Sequence, residues 1–537
     1  MRLLLVNPRF PESWWSSRWA IDILPGKRAL TPPLGLATLA ALCPVDWQVE
    51  ILDENFEEIP PSPAADIVGI CGMGVQFPRQ RELLNYYRER GYYVLAGGSY
   101  ASLCPERYEL LADTVIAGEA EYIFPRFCRD FEEGVPLSLY RETGTVALAD
   151  SPVPRFDLLK LDRYVYASLQ FSRGCPFRCE FCDIIVMFGR KPRVKTFDQI
   201  GRELDELRRL GARSVFFVDD NLIGNLPVAK KLLQFLKQYQ EKYKCWFSFG
   251  TEASLNMAQH ADLLALFRAA NFSWVFIGIE STDPESLKET LKTQNLHEDI
   301  LTSVRRIYGY GIEVLAGFIV GFDHDTEASF EQQYCFITEA GIQSAMIGLL
   351  TALPKTPLYE RLKREGRLNT SEDVNDMTQL STNVIPKSMS YEALVDGYIE
   401  LYRRLLRDGE IALRIQNKLR HLGAPNYRSV YPGHQALGIL ARLVWRGILP
   451  GGLQRIACFI KTFPLSRPSA IPTVISEWIV ALSMRDFAER RLASHVRTAR
   501  PLQPPGCSPA HREGHVVLIQ RRDGAHATSV SVRSRTG

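Results

Sequence analysis

The chain has 537 residues, 46% of them apolar and 23% charged, with a formal net charge of +3. This is the composition of a globular protein of three or four domains, and its charge is too small to argue for a nucleic-acid partner. The 11 cysteines form only one close cluster, which excludes a disulfide framework and fits a reducing, cytoplasmic setting.

Residues 1–6 lead straight into Asn7-Pro8 with no signal-peptide cleavage pattern. No uninterrupted apolar stretch long enough to span a bilayer is expected anywhere in the chain. Short apolar runs at 3–6, 49–52, 67–71, 92–96 and 114–117 alternate with helical patterns such as 34–42 and 79–90. That alternation predicts a parallel, doubly wound sheet over residues 1–150. Ligands of such sheets sit beyond the carboxyl ends of the strands. Asn7, Asp53, Asn55, Gly72, Gly74, Gly97, Gly98, Gly118 and Glu119 fall there. Glycines at these points either admit a nucleotide-like ligand against bare backbone or merely make tight turns. No G-x-G-x-x-G opens a helix, which argues against a nicotinamide cofactor. The aromatic stretch 10–28, with Trp14, Trp15 and Trp19, either covers an apolar ligand or is pinned by its own rings.

Pro152 and Pro154 mark a linker into a central domain, residues 151–370. An apolar strand over 166–171 runs into Cys175, Cys179 and Cys182, spaced C-x3-C-x2-C. Structural zinc wants four closed ligands, and no fourth Cys or His stands close by. Three thiolates suit an iron–sulfur cubane with one iron left open for a small molecule. Strands at 214–218, 245–250, 274–279, 313–320 and 344–350 then alternate with helices, giving six β/α units and a partial barrel whose site lies at the carboxyl ends of the strands. Acidic residues recur there as Asp219, Asp220, Glu252 and Glu280. They could accept bonds from an ammonium group and ribose hydroxyls, or cap helices and pair with arginines.

Residues 371–500 read as mostly helical, with apolar faces at 391–406, 435–446, 453–463 and 475–492 interspersed with Arg and Lys. Such helices could cap the barrel mouth, the favoured expectation, or rest on a membrane surface. The tail 501–537, rich in Pro, Gly, Ser and Arg, is expected to be disordered.

The cysteine motif resembles the signature of the radical S-adenosylmethionine (radical SAM) superfamily. The resemblance implies a 4Fe-4S cluster on Cys175, Cys179 and Cys182, with S-adenosylmethionine on the open iron. It places Phe181 near the adenine, Asp219 and Asp220 at the amino group, and Glu252 and Glu280 near the ribose, with Gly317 to Gly321 behind the adenine. The first domain looks like the cobalamin-binding domain of many such enzymes, with residues 32–36, Gly97-Gly98 and 118–121 at recurrent positions and Asn7 beyond the first strand. It lacks the D-x-H-x-x-G motif, so a histidine ligand to cobalt is not implied. Residues 182–185, 188–193, 219–225 and 316–323 are similar to a cobalamin-dependent subgroup that includes the hopanoid C-2 methylases. The resemblance implies methylation of an unactivated carbon of an apolar, hopanoid-like substrate by way of a 5′-deoxyadenosyl radical and methylcobalamin. It also implies an external donor of the flavodoxin or ferredoxin type and peripheral contact with the inner face of the membrane. A cyclase or rearrangement enzyme of the same architecture, or a non-enzymatic cobalamin or redox sensor, are the alternatives. No catalytic side chain is singled out.

Overall fold

In the first sheet, strands β1 (Arg2–Asn7), β2 (Gln48–Asp53), β3 (Ile67–Cys71), β4 (Tyr93–Gly97), β5 (Thr114–Ala117) and β6 (Leu139–Arg141) pair in the order β2-β1-β3-β4-β5-β6, all in parallel. Along β1, Leu3 and Leu5 enter one apolar cluster and Leu4 and Val6 another. Both faces are therefore covered, as parallel sheets require. The strand β6 is short and was not expected from the sequence.

The computed structural model describes residues 1–13, 16–369, 380–424 and 431–492. Trp14, Trp15 and the expected disordered tail lie outside the described residues.

The second sheet is built from β7 (Ala167–Leu169), then, beyond the small antiparallel pair β8 (Ser172–Arg173) and β9 (Arg193–Val194), from β10 (Ser214–Phe217), β11 (Ser248–Glu252), β12 (Phe272–Glu280), β13 (Glu313–Val320) and β14 (Ala345–Leu349). The order β14-β13-β12-β11-β10-β7 is parallel throughout. These are the six strands of the expected open barrel. Strand β11 starts three residues later than the apolar run at 245–247 suggests, which carries it as far as Glu252. The apolar cluster that holds Leu3 and Leu5 continues through Phe171, Phe217 and Ile347, so the two sheets share one core.

One expectation about the periphery needs correction. The helix Asp408–His421 lies at the amino-terminal end of the barrel, away from its mouth. Lys418 pairs there with Glu313, the first residue of β13, at 3.0 Å and with Glu477 at 2.6 Å. Gly423 N donates to Tyr308 O at 2.7 Å, at the end of the helix Ile300–Gly309 that precedes β13. The helix Tyr391–Leu405 flanks the edge strand β14, where Tyr402 Oη accepts from Ile347 N at 2.7 Å. The C-terminal helices therefore cover the side and bottom of the barrel. Trp19 packs among the C-terminal helices beside Ile23 and Trp478.

Residues Gly433–Thr462 are long and apolar enough by length and composition to cross a membrane, although Arg442, Arg446 and Arg455 interrupt their apolar run. The helix Gly433–Leu443 continues through the turns Val444–Ile448 and Leu449–Gly451, and Gly452 (φ 72°, ψ −171°) then breaks the run before the helix Gly452–Thr462.

Candidate active site

The loop after β8 leaves the sheet at Gly174, whose φ is +95° and whose missing Cβ would meet three carbonyl oxygens of residues 188–191 at 3.0–3.3 Å. Only glycine lets this turn pack under the segment that returns to β9. Cys175 follows, its N–H donating to Gly189 O at 3.3 Å. Cys179 is buried, and Cys175 and Cys182 are half-buried. Burial pushes the Cys175 and Cys182 thiols up, and Cys179 pushes both further up. The three sulfurs thus share one field. Among the described residues no three His, Cys, Asp or Glu side chains converge as around a single ion. A cubane's corners hold thiolates further apart than one metal ion does, so three clustered thiols with no histidine or carboxylate ligand suit a cluster better than zinc.

Two side chains that the sequence did not reveal lie against this trio. Gln294 Nε2 donates to Cys179 Sγ at 3.6 Å. Lys292 is buried in the field of Cys179 and Cys182, lies 5.9 Å from the centre of the Phe181 ring and pairs with Glu280 at 2.7 Å. Burial alone would lower the Lys292 pKa, but Glu280 and the thiols outweigh it and keep the ammonium charged. The pair exists because of a bulge: the β12–β13 register shifts between Gly278 and Glu280, and Glu280 takes a φ of +64°. Bulges re-aim side chains in this way. A Cβ at Gly278 would stand 2.1 Å from Glu280 Oε1 and 2.8 Å from Lys292 Nζ. A Cβ at Gly317 would stand 3.1 Å from the Phe276 ring. The chemical signal for Lys292 and Gln294 was faint, two polar residues in a loop more than a hundred positions beyond the cysteines.

The carboxylates divide into two roles. Asp219 is wholly buried and accepts from Phe171 N at 2.7 Å, from Ser172 N at 3.0 Å and from Ser172 Oγ at 3.2 Å. It pins the chain as it enters the cysteine loop and is not available to a ligand's amino group, a correction to the sequence reading. Asp220 accepts from Gly174 N at 3.1 Å, and burial raises its carboxyl to about 6. Glu252, at the end of β11, is pushed up to about 8, first by burial and then by Asp220 and Asp219. Asn221 links the ends of β10 and β11: its Nδ2 donates to Ser254 Oγ at 3.1 Å and contacts Cys175 Sγ at 3.9 Å. Phe181 packs on Phe322, with ring centres 6.3 Å apart. Gly321 has φ +108° and donates its N–H to Asp325 at 2.8 Å.

At the first sheet's strand ends, three side chains or glycines expected to meet a cofactor are occupied by protein. Asn7 donates to Asp53 at 3.0 Å and accepts from Gln76 at 3.1 Å. Glu119 holds Arg173 at 2.7 Å and Arg193 at 2.8 Å. A Cβ on Gly97 would meet Cys71 Sγ at 3.1 Å. Gly98 (φ +103°) and Gly118 (φ +110°) are required by neighbouring backbone: a Cβ on Gly98 would lie 2.3 Å from Gly72 O, and one on Gly118 2.9 Å from the Glu142 Cβ. Both nevertheless remain exposed, as does the Met73 side chain, so bare backbone is presented at the ends of β4 and β5 and an apolar side chain beyond β3. The helix Ser99–Leu103, which follows Gly98, contacts the helix Ile184–Met187 of the cysteine loop. Lys355, beyond β14, donates to Leu103 O. The strand ends of the two sheets therefore confront each other.

The sequence profile described as the Radical SAM superfamily matches residues 169–334, and that of a domain of unknown function, DUF4070, matches residues 356–495. The chain is 38% identical over 454 residues to an uncharacterized methyltransferase, sll1242, of Synechocystis sp., covering 83% of this chain and 84% of the relative. It is 37% identical over 374 residues to the hopanoid C-2 methylase of Rhodopseudomonas palustris, covering 68% and 71%. Among solved structures, that of the cobalamin-dependent S-adenosylmethionine radical enzyme OxsB superposes with a TM-score of 0.57 at 16% identity, covering 93% of this chain and 82% of that one, a likeness of fold.

Proposed function

This chain belongs to the radical SAM superfamily, in the family of its Synechocystis and Rhodopseudomonas relatives, and on that premise we propose that it is a cobalamin-dependent radical SAM methyltransferase acting on an unactivated carbon of an apolar, hopanoid-like lipid. One observation carries the reading: three thiols in one field open at the barrel's carboxyl end, opposite the strand ends of a doubly wound sheet. Cys175, Cys179 and Cys182 would hold a 4Fe-4S cluster, with S-adenosylmethionine against Phe181, Asp220, Glu252 and the glycines of β12 and β13. Cobalamin would lie against Met73, Gly98 and Gly118. When bound, this set supplies one-electron cleavage of the sulfonium and a transferable methyl group, chemistry outside the reach of side chains.

The protein's own part is positioning. Asp219 fixes the loop entry, Asn221 touches Cys175, and Gln294 donates to the Cys179 sulfur. Lys292 offsets negative charge beside the thiols, and the apolar ring of Phe181 over the pair limits water. The resemblance to a hopanoid methylase supports a lipid substrate and hence a meeting with the membrane; an external one-electron donor is required by the chemistry.

The test is anaerobic incubation of the reconstituted enzyme with methyl-labelled S-adenosylmethionine and a lipid extract, followed by mass spectrometry. Label should appear in a lipid heavier by one methyl group, and Cys175→Ala should lose both label transfer and most bound iron. Cleavage of S-adenosylmethionine with an unlabelled, rearranged product would favour a cyclase instead.

A further inference from the structure

The helices Gly433–Leu443 and Gly452–Thr462 each carry two apolar faces. One face, with Ile439, Leu443 and Phe459, is buried against Trp478 and Leu482. The other looks outward: Leu437 is 69% exposed, Trp445 75% and Leu453 86%, and Ile460 and Leu465 stand out beside them. Leu437 lies on the first helix, and Trp445 and Leu449 follow eight and four residues on, in the π-helical turn Val444–Ile448 and the 3-10 turn Leu449–Gly451 that carry the first helix into the second. Leu453 and Ile460 stand seven residues apart on the second, so the outward apolar residues follow one side of each segment. A second apolar stripe left outside the core marks a surface that meets a partner or lipid. The two α-helices have 11 residues each, roughly 16 Å at the α-helical rise, short of a hydrocarbon core of about 30 Å. With one face of each packed against Trp478 and Leu482 and Gly452 breaking the run between them, the pair is placed to lie on a bilayer.

The charge of this region identifies the surface it would meet. Between Glu410 and Glu477 the sequence has no acidic residue and nine Lys or Arg; Arg414 and Lys418 are buried and Arg455 pairs with Asp408, which leaves Arg446 and Lys461 among the cations of the outer face. Arg446 and Lys461 are exposed and follow directly on Trp445 and Ile460, placing a cation at the edge of the apolar stripe on each helix. Long basic side chains can extend from such an edge to headgroups, and an exposed Trp suits the same depth.

We propose that this paired-helix face is a docking surface for an anionic lipid bilayer, resting on the interface with Trp445 and Leu453 inserted and Arg446 and Lys461 on the headgroups. The proposal deepens the lipid-substrate reading and rests on it for its purpose, while its observations are separate.

The holoenzyme is centrifuged with vesicles of phosphatidylcholine, with and without phosphatidylglycerol. Wild type should co-sediment with the anionic vesicles at least about tenfold better than with neutral ones, and less as salt rises. Trp445→Ser/Leu453→Ser should weaken that binding at least about tenfold, and Arg446→Gln/Lys461→Gln should erase the preference for anionic lipid. Unchanged cluster absorbance reports that the variants are folded. As a measure needing no destabilising variant, brominated lipid should quench tryptophan emission of wild type more than that of Trp445→Phe. The proposal is overturned if wild type stays in the supernatant with both vesicle types. It is equally overturned if wild type elutes as a dimer that Trp445→Ser/Leu453→Ser makes monomeric while no vesicle is bound, since the face would then join two copies. Methyl transfer to detergent-dispersed lipid tests the substrate reading independently of either result.

Discussion

Glu280 and Lys292 form a pair that is neutral as a whole, yet its positive end lies in the field of two of the thiols. A reduced cluster carries one more negative charge than an oxidised one, so a cation beside it favours reduction. Lys292→Gln should therefore move the reduction potential to more negative values, by an amount on the order of tens of millivolts, in a titration followed by electron paramagnetic resonance. Because that variant strands Glu280, Glu280→Gln/Lys292→Gln is the informative partner: it removes both charges and should bring the potential back towards wild type. An unchanged potential in Lys292→Gln would place the ammonium outside the cluster's field. Glu252 gives a second expectation, for the cluster-free chain. Its folded pKa of about 8 lies above the ordinary value of 4.5, so the folded state holds a proton that the unfolded state releases. That contribution is fully present below about pH 4.5 and is lost as pH rises through 8. Urea midpoints should fall across that window, and the Glu252→Gln profile should be flatter; parallel profiles would refute the assignment. The cysteines were legible in the sequence because the cluster dictates their spacing. Asp219 was misread because a carboxylate at a strand end looks the same whether it meets a ligand or the backbone N–H groups of Phe171 and Ser172.

Among the elements, the strands of both sheets were legible because parallel strands buried on two faces are short, continuous apolar runs. The pair β8–β9 and the strand β6 were not, since two or three residues carry no period. The bulge at Glu280 leaves no trace in sequence either, although the Gly278 beside it makes the room it needs. The helix Pro357–Arg364 shows how one element secures another. Thr356 caps it, accepting from Tyr359 N at 3.2 Å, and Leu358 N donates to Glu180 O at 2.9 Å. One turn on, Arg361 binds Glu180, inside the cysteine motif, at 2.6 Å and also Asp323 at 3.0 Å and Glu289 at 3.2 Å. Three carboxylates on separate segments thus meet at one guanidinium, with Arg367 also holding Asp323. Arg361 is about a quarter exposed, so Arg361→Met should cost about 1–3 kcal/mol, between the ranges for surface and buried pairs. The local consequence is more diagnostic. The cysteine loop would open more often, and a chelator should strip iron from the reconstituted variant several-fold faster than from wild type. Equal stripping rates would show that the loop is held by its backbone alone.

In the whole molecule the sequence separates two α/β units but is silent on how they dock, because the polar pairs and apolar contacts that join them link residues far apart in the chain. Glu119, read from the sequence as a cofactor contact, is the centre of that docking. It lies just beyond β5 and holds Arg173 and Arg193, one on each strand of the small hairpin that frames the cysteine loop. All three side chains are largely buried, with Glu121 taking the other side of Arg173 at 2.7 Å. The carboxylate therefore connects the strand ends of the first sheet to a residue two positions before Cys175. Glu119→Gln keeps the shape and removes the charge, leaving Arg173 with Glu121 but Arg193 without its carboxylate. Breaking a buried pair on one side costs about 3–5 kcal/mol when burial is complete; with the arginines 12–13% exposed, a loss of about 2–4 kcal/mol is expected. Because one apolar cluster runs through both sheets, the transition should stay single and simply move to lower urea, with fluorescence and circular dichroism coinciding. Two separated transitions in wild type itself would mean that the sheets fold as independent bodies. An unmoved midpoint in Glu119→Gln would mean that their alignment over the cysteine loop rests on apolar contact alone, with the charge triad contributing nothing to it.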